Sequence, residues 1–225
     1  MITEKGKRIK SYFSTSMLAS RPGDEQVDNW IQEDLNQLWV RALIKTHLDE
    51  SATVRNPVMI IGPRLINTGG APFGVRKGKD NYIRYMPIGA TIINFTQHQL
   101  VIYQCALDLT TSNPLAESTH EFFYRDIVSL ETITESRTET SYSFTEQLLA
   151  EIPLLKNLAQ GKVEQYNSAE TFILTTSGGT NVKVALSEKI LVESVGGGTI
   201  PTHVSEQSIR AVRKMLREKK SGDAV

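Results

Sequence analysis

The sequence predicts an α+β fold: a meander of antiparallel strands, preceded by helices and closed by one amphipathic helix. Three observations carry this expectation. Residues 81–134 hold short runs rich in Ile, Val, Tyr, Phe and Thr, each ending in a turn-like cluster, a spacing that suits a meander and not alternating strands and helices. Residues 24–50 set Val27, Trp30, Ile31, Leu35, Leu38, Trp39, Ala42 and Leu43 at three- and four-residue steps, the period of a helix with one apolar face. Near the C-terminus, Ile209, Val212, Met215 and Leu216 share one face of a helix spanning 204–219, ringed by Arg210, Arg213, Lys214 and Arg217.

The elements follow in order. A short helix over Lys5–Leu18 precedes the long one, which starts after Pro22-Gly23. Both tryptophans lie on the apolar stripe of the long helix; docking against the sheet is the favoured reading, a partner-binding face the alternative. Pro57 opens a change of period. Val58–Ile61 reads as a buried strand, Asn67–Asp80 as a Gly-rich connection, and 81–87, 90–95, 99–108, 117–124 and 127–133 as strands, with a loop marked by Asn113-Pro114. From Glu135 to Asn167 the pattern lapses: Ser136–Thr145 is polar, and Phe144–Ala159 reads as a helix interrupted at Pro153. Thr171–Thr176 and Val182–Leu186 flank Ser177-Gly178-Gly179-Thr180, a hairpin turn. Gly196–Gly198 then leads into the last helix.

Composition narrows the classes further. At 225 residues the chain is long enough to bury a proper core. Lys+Arg and Asp+Glu both number 25, so no global field recruits nucleic acid or an anionic membrane, and any attraction must come from a local cluster. The one cysteine, Cys105, excludes an internal disulfide framework and fits a reducing compartment. No apolar run approaches the ~20 residues of a membrane-spanning helix, and the basic N-terminus lacks a signal-peptide core. A cytoplasmic protein is expected.

Strand Ile93–Phe95 turning through Thr96-Gln97-His98 into Gln99–Tyr103, the run Phe123–Leu130 and the closing Ile209–Lys219 helix together resemble the pleckstrin-homology-like (PH-like) superfold, and more narrowly bacterial PH-like and GRAM-like domains. The likeness covers residues 57–135 and 168–220. It implies an antiparallel β-barrel or sandwich capped by the C-terminal amphipathic helix. On this reading residues 1–56 are an N-terminal helical extension, 57–220 the PH-like domain with an insertion at 136–167, and 221–225 a tail. Such domains bind phosphoinositides, peptides or proteins, so the fold implies a class and not a ligand.

The motifs for chemistry fail on inspection. Gly69–Arg76 begins like a phosphate loop, but Val75 and Arg76 stand where Lys and Ser/Thr are needed, and Pro72 removes an amide donor. His120-Glu121-Phe122-Phe123-Tyr124 imitates a zinc-protease motif with Tyr in place of the second His, on a segment that alternates like a strand. No Gly-x-Ser-x-Gly elbow occurs, and Cys105 reads as a packing residue. Asp108, Glu117, Glu121 and Asp126 are carboxylates of the kind that pair by chance. No metal or cofactor is expected.

One polar cluster remains: Arg76, Lys77 and Lys79 on a loop, followed by Arg84. The PH-like resemblance implies that basic residues on such a loop and on the next strand cradle an anionic headgroup; a solvated loop tip is the favoured reading. The expected function is therefore non-enzymatic: a binding or scaffolding module for protein–protein interaction, with a protein partner or a second copy. The alternative is a peripheral membrane module that holds anionic lipid through Arg76, Lys77, Lys79 and Arg84.

Overall fold

The computed structural model of the protein describes residues 3–16, 20–141 and 162–222. It is a mixed α+β fold with antiparallel sheets and a C-terminal helix. Its centre is a four-stranded sheet, in the order β1 (Arg55–Pro63), β4 (Ile88–Phe95), β5 (Gln99–Asp108), β6 (Asn113–Phe123). Every residue of β4 is buried, because the sheet is covered on both faces. Alternation divides the side chains: Met59, Ile92, Tyr103, Cys105 and Leu107 enter one core, Ile60, Ile93, Phe95, Leu100 and Ile102 the other.

The first core is closed by α1 (Glu4–Phe13), α2 (Asp24–Thr46), the hairpin of β2 (Gly74–Lys77) and β3 (Ile83–Met86), and the short α3 (Lys189–Ser194). Helix α2 docks its apolar stripe: Val27, Leu35, Leu38 and Ala42 are buried, and Trp30 and Trp39 pack partly buried against them. It stops at Thr46, short of the expected Glu50, because His47 takes a left-handed cap (φ 51°) whose N–H returns to the carbonyls of Ile44 and Leu43. Helix α1 likewise ends at Phe13 and not Leu18, where Ser14 turns extended.

The second core lies between the central sheet, a three-stranded sheet β7 (Ile127–Ser141), β8 (Lys162–Thr176), β9 (Asn181–Glu188), and α4 (His203–Gly222). Helix α4 buries Ile209, Val212, Met215 and Leu216 there. The expected closed barrel does not form. At Ile61 the outer edge of β1 is taken by a side chain: Ser205 Oγ accepts from its N–H at 2.9 Å and donates to its carbonyl at 2.8 Å, and Ser208 donates to the Met59 carbonyl. With that edge capped by α4, no backbone ladder joins the central sheet to β9 among the described residues, and the Gln104 side chain alone donates across to the Lys183 carbonyl. The two sheets still pack closely, and Gly62 leaves room for the Ala185 carbonyl.

Other expectations are corrected in detail. The Gly-rich connection contains β2, whose register with β3 runs from Gly74↔Met86 to Lys77↔Ile83. The strand expected at 117–124 starts at Asn113, and the one expected at 127–133 continues to Ser141, paired with β8 from Lys162. The edges of the expected insertion are thus ladder: the polar ends of two strands of 15 residues each escape a hydrophobicity pattern, since backbone pairing does not require apolar side chains. The expected Phe144–Ala159 helix lies outside the described residues. Helix α4 runs on into the expected 221–225 tail, and α3 was not foreseen. No helix among the described residues is long and apolar enough to cross a membrane.

Candidate functional site, a groove between strand β7 and helix α4

The four basic residues singled out from the sequence fall into two environments. Arg84 is buried on β3, 6% exposed, and its guanidinium donates to both oxygens of Asp28 and both of Asp80. These two carboxylates hold it protonated more firmly than an ordinary arginine and use its charge internally. Arg76, Lys77 and Lys79 line a recess of about 360 Å³ together with Arg21. Arg76 donates to the Tyr12 carbonyl and stacks over the Tyr12 ring, and Lys77 donates to the Gly196 carbonyl. A carboxylate shares that recess: Asp24 accepts from the Tyr12 hydroxyl and from the Lys79 N–H. Burial works against its charge, but these two donors outweigh burial and hold its carboxyl below the usual range.

Glu117, Cys105, Asp108 and His120 make contacts within the fold. Glu117 accepts both arms of Arg41, the Lys45 ammonium and the Tyr103 hydroxyl, joining α2 to the central sheet. The Arg41 fork first, then Tyr103 and Lys45, bring its carboxyl down to about 2. Cys105 is fully buried, and burial pushes its thiol up to about 11, which keeps it protonated and unreactive. Asp108 caps its own turn through Thr110 and Thr111. His120 stacks on Phe122 within strand β6. Among the described residues no group of three or more His, Cys, Asp or Glu could hold a metal ion.

A larger concavity, about 770 Å³, lies where the first residues of β7 meet the last turns of α4. Its floor is apolar, formed by Ile127, Val128, Leu130 and Leu216, and its rim carries Arg213, Arg217 and Lys220. Strand order explains why it is open. The three-stranded sheet runs β7-β8-β9, so β7 is an edge and, among the described residues, no strand pairs with its outer side. An edge strand presents unpaired N–H and C=O groups to a neighbouring segment. Val128 is 58% exposed and open to a neighbouring segment.

Among the described residues the rim charges meet no carboxylate. Arg213 donates to the Thr132 hydroxyl and Lys220 to the Ile127 carbonyl, and the Arg217 guanidinium has no hydrogen bond or ion pair among the described residues, its carbonyl alone accepting from Ser221. The two acids of α4 are used elsewhere, Glu206 by Arg210 and Glu218 by Arg55 and Lys214. In the sequence the α4 cations read only as charges ringing an apolar helix face. The spacing 213, 217, 220 on one face was a visible signal, but what that face opposes is set by tertiary packing. In comparisons with known proteins, no family model, no curated protein and no solved structure matches this chain.

Proposed function

We propose that the chain is a non-enzymatic PH-like binding module that acts by protein–protein interaction, taking an extended segment of a partner as an added strand along β7. The order of four strands, three strands and a closing helix supports the PH-like reading, although the sheets are not a closed barrel. One observation carries the binding mode: an unpaired strand edge faces a helix across an apolar-floored groove. Main-chain hydrogen bonds to such an edge give affinity, and flanking side chains give selectivity.

The test is amide hydrogen exchange on the full chain, with peptides selected from a random display library. Bound peptides are expected to slow exchange in residues 127–134. Protection confined instead to the β6 edge or to residues 76–79 would overturn the reading.

A second reading, an anionic headgroup held at the basic loop, is favoured by Arg21, Arg76, Lys77 and Lys79 lining one recess. It predicts salt-sensitive cosedimentation with anionic vesicles, lost when Lys77 and Lys79 are both changed to Glu. No cosedimentation at low salt removes it.

A further inference from the structure

The groove has a polarity and a direction that specify its occupant more closely. Helix α4 and strand β7 run antiparallel along it, since Arg213 donates to Thr132 Oγ1 at 2.9 Å while Lys220, seven residues on, donates to the carbonyl of Ile127. Arg213 and Arg217 are therefore about 6 Å apart along the helix axis at 1.5 Å per residue. A strand laid beside β7 turns every second side chain towards the helix, about 7 Å apart. The two spacings match. No carboxylate of the described chain answers Arg213, Arg217 or Lys220, and the floor between them is Val128, Leu130 and Leu216.

We propose that the groove takes an extended acidic segment of a partner protein, with two carboxylates two residues apart set against Arg213 and Arg217 and one apolar residue set against Val128 and Leu130. This inference rests on the strand-addition reading above. Charge complementarity selects the occupant: a basic segment would bring cation against cation, and a wholly apolar one would bury the guanidinium of Arg217 without a partner. Lys220 already satisfies the Ile127 carbonyl, so it marks one end of the groove. The rim contacts are partly solvated, so binding weakens as salt rises.

The experiment uses the full chain and three labelled heptapeptides, each with threonine at odd positions and leucine at position two. Positions four and six hold Glu, Gln or Lys, and binding is read by fluorescence anisotropy. The Glu peptide is expected to bind at least tenfold more tightly than the Gln peptide, with the Lys peptide weakest. In Arg217→Glu, an exposed position with no partner to lose, the order of Glu and Lys peptides should reverse or level. Equal binding of Glu and Gln peptides that Arg217→Glu leaves unchanged sinks the acidic preference while strand addition stands. No binding of any of the three overturns both. If instead Arg217→Glu abolishes self-association in sedimentation velocity, or attachment to anionic vesicles, the occupant is a second copy or a lipid surface, and the proposal is wrong.

Discussion

The guanidinium of Arg84 on β3 is clamped in parallel by the carboxylate of Asp28 on α2, its Nε and Nη2 lying 2.7 and 2.6 Å from the two oxygens. Asp80, in the β2–β3 turn, holds the same group from the other side. The pair thus fastens the long helix to the hairpin. It also explains why the most strand-like of the four basic residues is a structural charge.

Replacing Arg84 by Met should lower stability by about 2–3 kcal/mol, read from the denaturant midpoint. The upper end of the range for broken buried pairs is not expected, since Asp28 and Asp80 are half-exposed and can rehydrate. Arg84→Lys should recover only part of the loss, because an ammonium cannot span two carboxylates with parallel donors. A neutral outcome for both variants would show that the clamp does not hold α2.

Glu117 makes stability depend on acid. Its carboxyl sits at about 2 in the folded chain against an ordinary 4.5, so the unfolded state binds the proton more readily. The stabilisation is present above about pH 4.5 and is lost as pH falls towards 2. Urea melts at pH 7 and pH 3 should differ by less in Glu117→Gln than in the unmodified chain, by roughly 1–2 kcal/mol. An unchanged pH profile would mean the fork to Arg41 contributes little.

Gly62 should tolerate no side chain. A Cβ there would lie 1.7 Å from the Ala185 carbonyl oxygen, a backbone atom that cannot rotate aside. Gly62→Ala should cost about 3 kcal/mol or more and shift β1 away from β9, visible as amide chemical-shift changes confined to both strands.

Helix α4 is expected to behave as a core element. Ile209→Ala and Leu216→Ala each truncate a buried aliphatic residue, 3% and 6% exposed, and should each cost about 2–4 kcal/mol in chemical denaturation. Two neutral results would show that α4 is not integral to the second core.

Much of the scaffold was legible because the relevant signals are local. Strand β5 was placed at Gln99–Asp108 from its run of β-prone residues, and the stripe of α2 identified the face that docks. Strand β2 escaped notice because Gly74–Lys77 has too few residues for a period, and its pairing with β3 is a contact between segments. The polar stretch after Glu135 looked unstructured because its pairing is made by backbone groups that every residue carries.

By itself, the sequence determined the long helices, the apolar strands and which of their faces are apolar, since propensity and period act over a few neighbouring residues. Tertiary structure alone decided the fate of the charges. Arg84 and the rim residue Arg217 are indistinguishable as letters, yet one meets Asp28 of a distant helix as well as Asp80 of its own turn, and the other meets no carboxylate among the described residues. It also decided which edges stay open: Ser205 of α4 caps β1 at Ile61, while the outer edge of β7 has no strand beside it among the described residues. Both outcomes depend on electrostatic and hydrogen-bond partners brought together by chain folding, and the energy of a charge or an edge is set by what lies opposite it.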